Sequence, residues 1–165
     1  MSELSIEPVL GWRLWHVRLH DDEHRLESFT MHHVSWPAGS RFEAGCALHG
    51  AGAPVHQHEC GIYAFTLRAY AEELLGRYTG VRHRYGHEYR ELPPVRQGRP
   101  IALGSVSLWG RILARERGYR AQYAYPYELF LIGGDEQIAR ELRDRYAVDV
   151  SLADRRRLRR RAEAD

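Results

Sequence analysis

Apolar and polar positions alternate along the first part of the chain. In "GWRLWHVRLH" (11–20), Trp12, Leu14 and His16 alternate with Arg13, Trp15 and Val17, a two-residue period that predicts a strand. "LESFTMHHVSW" predicts a second strand, ended by Trp36-Pro37 and Gly39. "CGIYAFTL" (60–67) is a short apolar run of the kind a buried strand makes. From Leu67 to Tyr78 the period changes. Ala71, Leu74, Leu75 and Tyr78 fall at i, i+3, i+4 and i+7, which predicts an amphipathic helix.

Residues 79–100 are polar and broken by Pro93-Pro94 and Gly98, so a long excursion is expected there. Strand patterns then follow closely. "IALGSVSLWG" and "RILARERG" read as a hairpin, "YRAQYAYP" alternates tyrosines with polar groups, and "YELFLI" is a buried run ended by Gly133-Gly134. "DEQIARELRDRY" (135–146) predicts a helix. Ile138, Leu142 and Tyr146 mark its buried face, with Asp135 and Glu136 at the end that favours acids and Arg143 and Arg145 at the end that favours bases. "AVDV" reads as an edge strand, and Ser151 as the cap of a terminal helix through "LADRRRLRRR".

Together these predict an α+β fold with a mostly antiparallel sheet of five to seven strands and two or three helices. A small barrel in the 101–132 region is a variant of the same reading. Short turns between strands, with no regular strand–helix–strand alternation, argue against a doubly wound sheet. The expected organisation is one domain over residues 1–150 and an arginine-rich tail over 151–165.

The chain has 165 residues, enough for one domain with a real core. Its 44% apolar and 28% charged residues suit a soluble globular protein. No apolar run approaches a membrane span, and "MSELSIEPVLGW" lacks the layout of a secretory signal, so the expected location is the cytoplasm. All 24 basic residues are arginine. The net charge of +2 divides unevenly, with +3 on residues 151–165 and −1 on the first 150.

Candidate chemistry concentrates in "CALHGAGAPVHQHEC" (46–60), which holds both cysteines and three of the ten histidines. Cys46 and His49 form a C-x2-H pair, and His58 and Cys60 form an H-x-C pair. Two such pairs, turned toward each other by Gly50, Gly52 and Pro54, supply the two thiolates and two imidazoles of a tetrahedral zinc site. His56 is a rival for the second histidine place. The alternative in the same residues is Cys60 as a nucleophile, its thiol activated if the next segment opened a helix and His56 or His58 served as base. A solvent-exposed loop with two inert cysteines is the plainest alternative.

"CGIYAF" and "GSVSLWGRILARERGYRAQYAYPYEL" resemble a family of uncharacterised bacterial proteins. Its pattern is a cysteine followed by H-x-A-P, then C-x-C-G-I-Y-A, then G-x-V-x-L-W-G-x-V-x-E-x-x-x-G-Y-R-A-x-Y-A-Y-P. This chain matches at Cys46, Ala53-Pro54, Cys60 to Ala64, Leu108-Trp109-Gly110 and Gly118 to Pro126, within residues 36–132. His58 stands where that pattern has the first cysteine of C-x-C, and exchange of thiolate for imidazole is natural for a zinc ligand. His49 does not fall on the family's histidine. The resemblance implies a metal site and no particular activity.

Three further features compete for a binding role. "GYRAQYAYP" is either a stacking platform with Arg120 on phosphate or a strand burying Tyr119, Tyr123 and Tyr125, and Trp109 is expected in the core beside it. In 82–90, Arg82, Arg84 and Arg90 interleave with His83, Tyr85, His87 and Tyr89, as on an anion surface or a solvated excursion. Arg155, Arg156, Arg157, Arg159, Arg160 and Arg161 of the tail suit nucleic acid or an acidic protein, or serve solubility alone. No P-loop, dinucleotide-binding glycine set, H-E-x-x-H or G-x-S-x-G is found. The expected function is therefore a non-catalytic zinc-binding module on Cys46, His49, His58 and Cys60. The alternatives are an enzyme with an open metal site or a Cys60 nucleophile, and a nucleic-acid binder.

Overall fold

The computed structural model describes residues 3–29, 34–46, 48, 52–78, 83–85, 88–90 and 99–153. In chain order the elements are β1 (Glu3–His20), β2 (Glu23–Ser28), β3 (Phe42–Glu43), β4 (Ile62–Phe65), α1 (Arg68–Tyr78), β5 (His83–Tyr85), β6 (Glu88–Arg90), β7 (Ile101–Ala114), β8 (Gly118–Ile132), α2 (Glu136–Tyr146) and β9 (Asp149–Ala153). Seven strands form one sheet, and β5 and β6 pair separately. All pairings are antiparallel except β8 with β9, which α2 connects. The α+β class with a mostly antiparallel sheet is thus observed.

β1, β7 and β8 are far longer than the usual strand of about 5–6 residues. Bulges make this length usable, because a bulge bends a strand and lets it serve different partners along its course. Register shifts occur between Ser5 and Val9 on β1 and, on the β7–β8 pair, between Ser105 and Val106 and between Trp109 and Ile112. At the last of these Gly110 has φ +76°, and a Cβ there would lie 2.7 Å from the Tyr123 ring. The glycine expected to close a hairpin inside 101–118 therefore makes a bulge, and β7 runs straight through it. Pro126 sits beside the other irregularity, the place a strand tolerates proline. Residues 101–132 form two strands of the larger sheet. Their pairing continues into β1 and β4, which also pair with each other, so β1, β7, β8 and β4 form a closed ring of pairing.

The β1–β2 hairpin turns through Asp21 and Asp22, both at positive φ, as a two-residue turn requires. One core lies around Trp15, Leu26, Trp36, Val106, Leu108 and Leu129 and includes both cysteines. Trp36 meets Trp15 edge-on at 5.4 Å and stacks on Phe42 at 4.7 Å. A second core seats Ala71 and Leu75 of α1 on Leu14, Ile101 and Leu103. α2 begins at Asp135, whose carboxylate accepts the Ile138 N–H, and ends at Ala147 in the left-handed conformation. Tyr146 fastens it to the first core by accepting the Leu26 N–H at 2.9 Å and donating to the Trp36 carbonyl at 3.0 Å.

β9 continues to Ala153, with Ser151 opposite Phe130. The sheet thus extends past residue 150, and Ser151 lies in a strand where a helix cap was expected. The rest of the tail, with its six arginines, lies outside the described residues. Among the described residues no helix is long and apolar enough to cross a membrane.

Candidate metal centre

The site begins with a strand that is interrupted. On one edge of β8, Phe42 lies opposite Ala124, Glu43 opposite Tyr123, and the Ala44 N–H donates to the Gln122 carbonyl at 2.8 Å. The next position, Ala121, is opposite Ile62, followed by Arg120 opposite Tyr63. β3 and β4 are therefore two halves of one line of pairing. The chain leaves it after Ala44 and returns at Ile62 with no slip in register, so the two ends of the excursion meet on β8. Cys46 stands just after the point of departure and Cys60 just before the point of return.

Two arginines shape the excursion. Arg120 is 3% exposed, and Ala121 beside it is fully buried, so both faces of β8 are covered here. The Arg120 Nη1 donates to the carbonyls of His58, Cys60 (3.1 Å) and Val55 (3.4 Å). Arg111 Nη1 donates to the Gly52 carbonyl at 2.8 Å. A peptide group has no better partner inside a protein than a fixed cation, since hydrogen bonds to charged groups are the stronger ones. Gly61, at φ +121°, makes the return, and a Cβ there would meet Pro54 Cβ at 2.9 Å and Arg120 Cβ at 3.1 Å. Ala53 and Pro54, joined by a cis peptide, are buried beneath the loop. The Tyr63 hydroxyl donates to the Glu59 carbonyl at 2.6 Å, and burial pushes its phenol above the ordinary value against the pull of the Arg120 charge.

This frame brings Cys46 Sγ, Cys60 Sγ and a His58 ring nitrogen together, all within 4.8 Å of one another. Cys46 Sγ is 3.4 Å from His58 Nδ1, and the Val55 N–H donates to Cys60 Sγ at 3.3 Å. Both cysteines are buried and free of disulfide, and His58 is half-buried. Such a group can hold a metal ion. His56 is exposed and is not part of it. His49 lies outside the described residues.

Other expected sites resolve differently. β4 is a strand, so no helix begins at Cys60 to activate its thiol. Arg120, a phosphate contact in one of the two readings of that stretch, is enclosed by loop carbonyls; its sequence signal was a charge set in a mostly apolar and aromatic strand. Tyr119, Tyr123 and Tyr125 are half-buried, and the buried positions of that stretch are Arg120, Ala121, Ala124 and Pro126. Tyr123 is flanked within the chain by Trp109, 6.1 Å between rings, and by the Arg41 guanidinium at 4.1 Å. Trp109 is half-buried at the tyrosine strand. Within 82–90, β5 and β6 pair with each other. Comparison with protein-family models, curated proteins and solved structures finds no match for the chain.

Proposed function

We propose that the protein is a small zinc-binding module of binding or regulatory role, its ion held by Cys46, His58 and Cys60, with His49 in the fourth place. The observation that carries this reading is the convergence of two buried sulphurs and one imidazole nitrogen within 4.8 Å, from the two ends of one loop. A catalytic cysteine paired with a base uses one thiol and one imidazole, and leaves the second buried thiol of this group unexplained. A metal ion uses all three groups. The 3.4 Å between Cys46 Sγ and His58 Nδ1 is close to the ~3.5 Å separating ligands at ~2.3 and ~2.05 Å from a tetrahedral zinc.

The ligand set favours zinc because thiolate and imidazole are its usual structural donors, whereas hard cations take oxygen. Two thiolates cancel the charge of the ion, so the loaded site is neutral and tolerates burial. The Val55 N–H on Cys60 Sγ is the kind of neighbouring contact that orients a ligand. With a fourth protein ligand the site is closed, no water is left to activate, and the ion fastens the ends of residues 45–61.

Metal content of untagged full-length protein, grown with ample zinc, tests this. About one zinc per chain is expected, with Cys60→Ser and His58→Ala far below it. His49→Ala lowers zinc affinity while His56→Ala leaves it unchanged. Wild-type protein with metal well below one equivalent overturns the proposal.

A further inference from the structure

The two cysteines keep their places for reasons that need no metal. Cys46 follows Ala44, bonded to Gln122, and Cys60 precedes Ile62, in register with Ala121 on the same edge of β8. Arg120 holds the carbonyls on either side of Cys60's approach, and Arg111 holds Gly52. Removing an ion leaves every one of these bonds intact, so the sulphurs remain neighbours within 4.8 Å. They are the only two cysteines of the chain. Each keeps a small opening to solvent, 8% for Cys46 and 9% for Cys60, where Ala53 and Ala121 have none. Openings this narrow favour a small oxidant over a second protein.

From this we infer that Cys46 and Cys60 form a reversible thiol–disulfide site whose reduced state holds the metal and whose oxidised state releases it, with a small peroxide as oxidant. One thiolate sulphur attacks the O–O bond, which breaks to leave a sulfenic acid and hydroxide. The other thiolate then attacks the sulfenic sulphur, forming the S–S bond and expelling a second hydroxide. The two sulphurs give up two electrons, the peroxide accepts them, and two protons complete two waters. Because the β8 register already holds the loop ends together, the second step is intramolecular and outruns capture by another chain. Both thiolates are consumed, and His58 is the one member of the described group left to bind the ion.

Release of metal rests on the zinc reading above, but disulfide formation does not, and the experiment separates them. Reduced full-length protein, zinc-loaded and metal-free, is treated with hydrogen peroxide. Intact mass, a non-reducing peptide map and zinc release to a chromophoric chelator are then followed. The expected result is loss of two hydrogens per chain, a Cys46–Cys60 linked peptide, a retained monomer and about one zinc freed per disulfide. A dithiol with added zinc reverses all of it. His58→Ala, which loses the metal, still forms the disulfide, and Cys60→Ser does not. Oxygen added to the cysteines, or disulfide-linked dimers, in metal-free wild type overturns the inference. A chain that forms the disulfide but never carries zinc overturns the metal reading and leaves the thiol site standing.

Discussion

Arg120 shows how much of the site depends on a residue sixty positions from the loop it organises. Its Nη1 gathers three carbonyls from residues 55–60, so the backbone that aims His58 and Cys60 is set from β8. Arg120→Met removes that hub, and zinc affinity is expected to fall about 10–100-fold, the usual effect of losing an orienting partner. Arg120→Lys keeps a cation beneath the loop and loses less. Competition with a chromophoric chelator measures both, and equal affinity in wild type and Arg120→Met would rule the hub out. Tyr146 makes a similar argument in the core. Tyr146→Phe leaves the buried Leu26 N–H and Trp36 carbonyl without their hydroxyl partner, a cost of about 1–3 kcal/mol, read as a lower denaturant midpoint at unchanged slope. Cys46, His58 and Cys60 were legible in the sequence because ligand spacing is local. Arg120 was weighed only as a phosphate contact in one of two readings, because nothing near it in sequence names the carbonyls it meets.

The elements follow the same division between local and distant causes. α2 was legible nearly to the residue, since its cap, charged ends and buried face all lie within the one segment. β7 and β8 were cut short, because Gly110 and Pro126 look like punctuation and only a partner strand turns them into bulges. β3 escaped notice, being two residues long and defined wholly by β8. Its alignment with β4 carries a consequence for the loop between them. Joining Ala44 directly to Ile62 produces one continuous strand in unbroken register on β8. A protein lacking residues 45–61 is therefore expected to fold with the same sheet and to bind no zinc. It melts lower than wild type, because Cys46, Ala53 and Cys60 leave the core and Arg120 loses its carbonyls. Far-ultraviolet circular dichroism with a single cooperative transition would bear this out, and a chain without such a transition would show the excursion to be integral to the sheet.

At the scale of the whole molecule, ion pairs fasten the helices to the sheet, and their acids set the response to pH. Glu23 of β2 meets Arg145 of α2 at 2.8 Å, and His24 meets Glu141 at 2.5 Å, so these pairs join the Leu26–Tyr146 bond in tying the β1–β2 hairpin to α2. Glu73 of α1 meets Arg117, in the β7–β8 turn, at 2.5 Å. The hydrogen bond from Arg145 holds Glu23 below the ordinary carboxylate value, that from Arg117 does so for Glu73, and that from His24 for Glu141. A carboxyl more acidic when folded than when unfolded contributes stability that is complete above its unfolded value of about 4.3. The contribution disappears as the pH falls through the lower, folded values. Stability is thus expected to decline on acidification below about pH 4.3, and to decline less in concentrated salt, which screens exposed pairs beforehand. Denaturant midpoints against pH, taken in chelator so that protons competing for metal ligands add nothing to the slope, measure the effect. The double variant Glu23→Gln, Glu141→Gln starts less stable at neutral pH and declines less steeply. An acid slope as steep as that of wild type would mean that other carboxylates govern the transition.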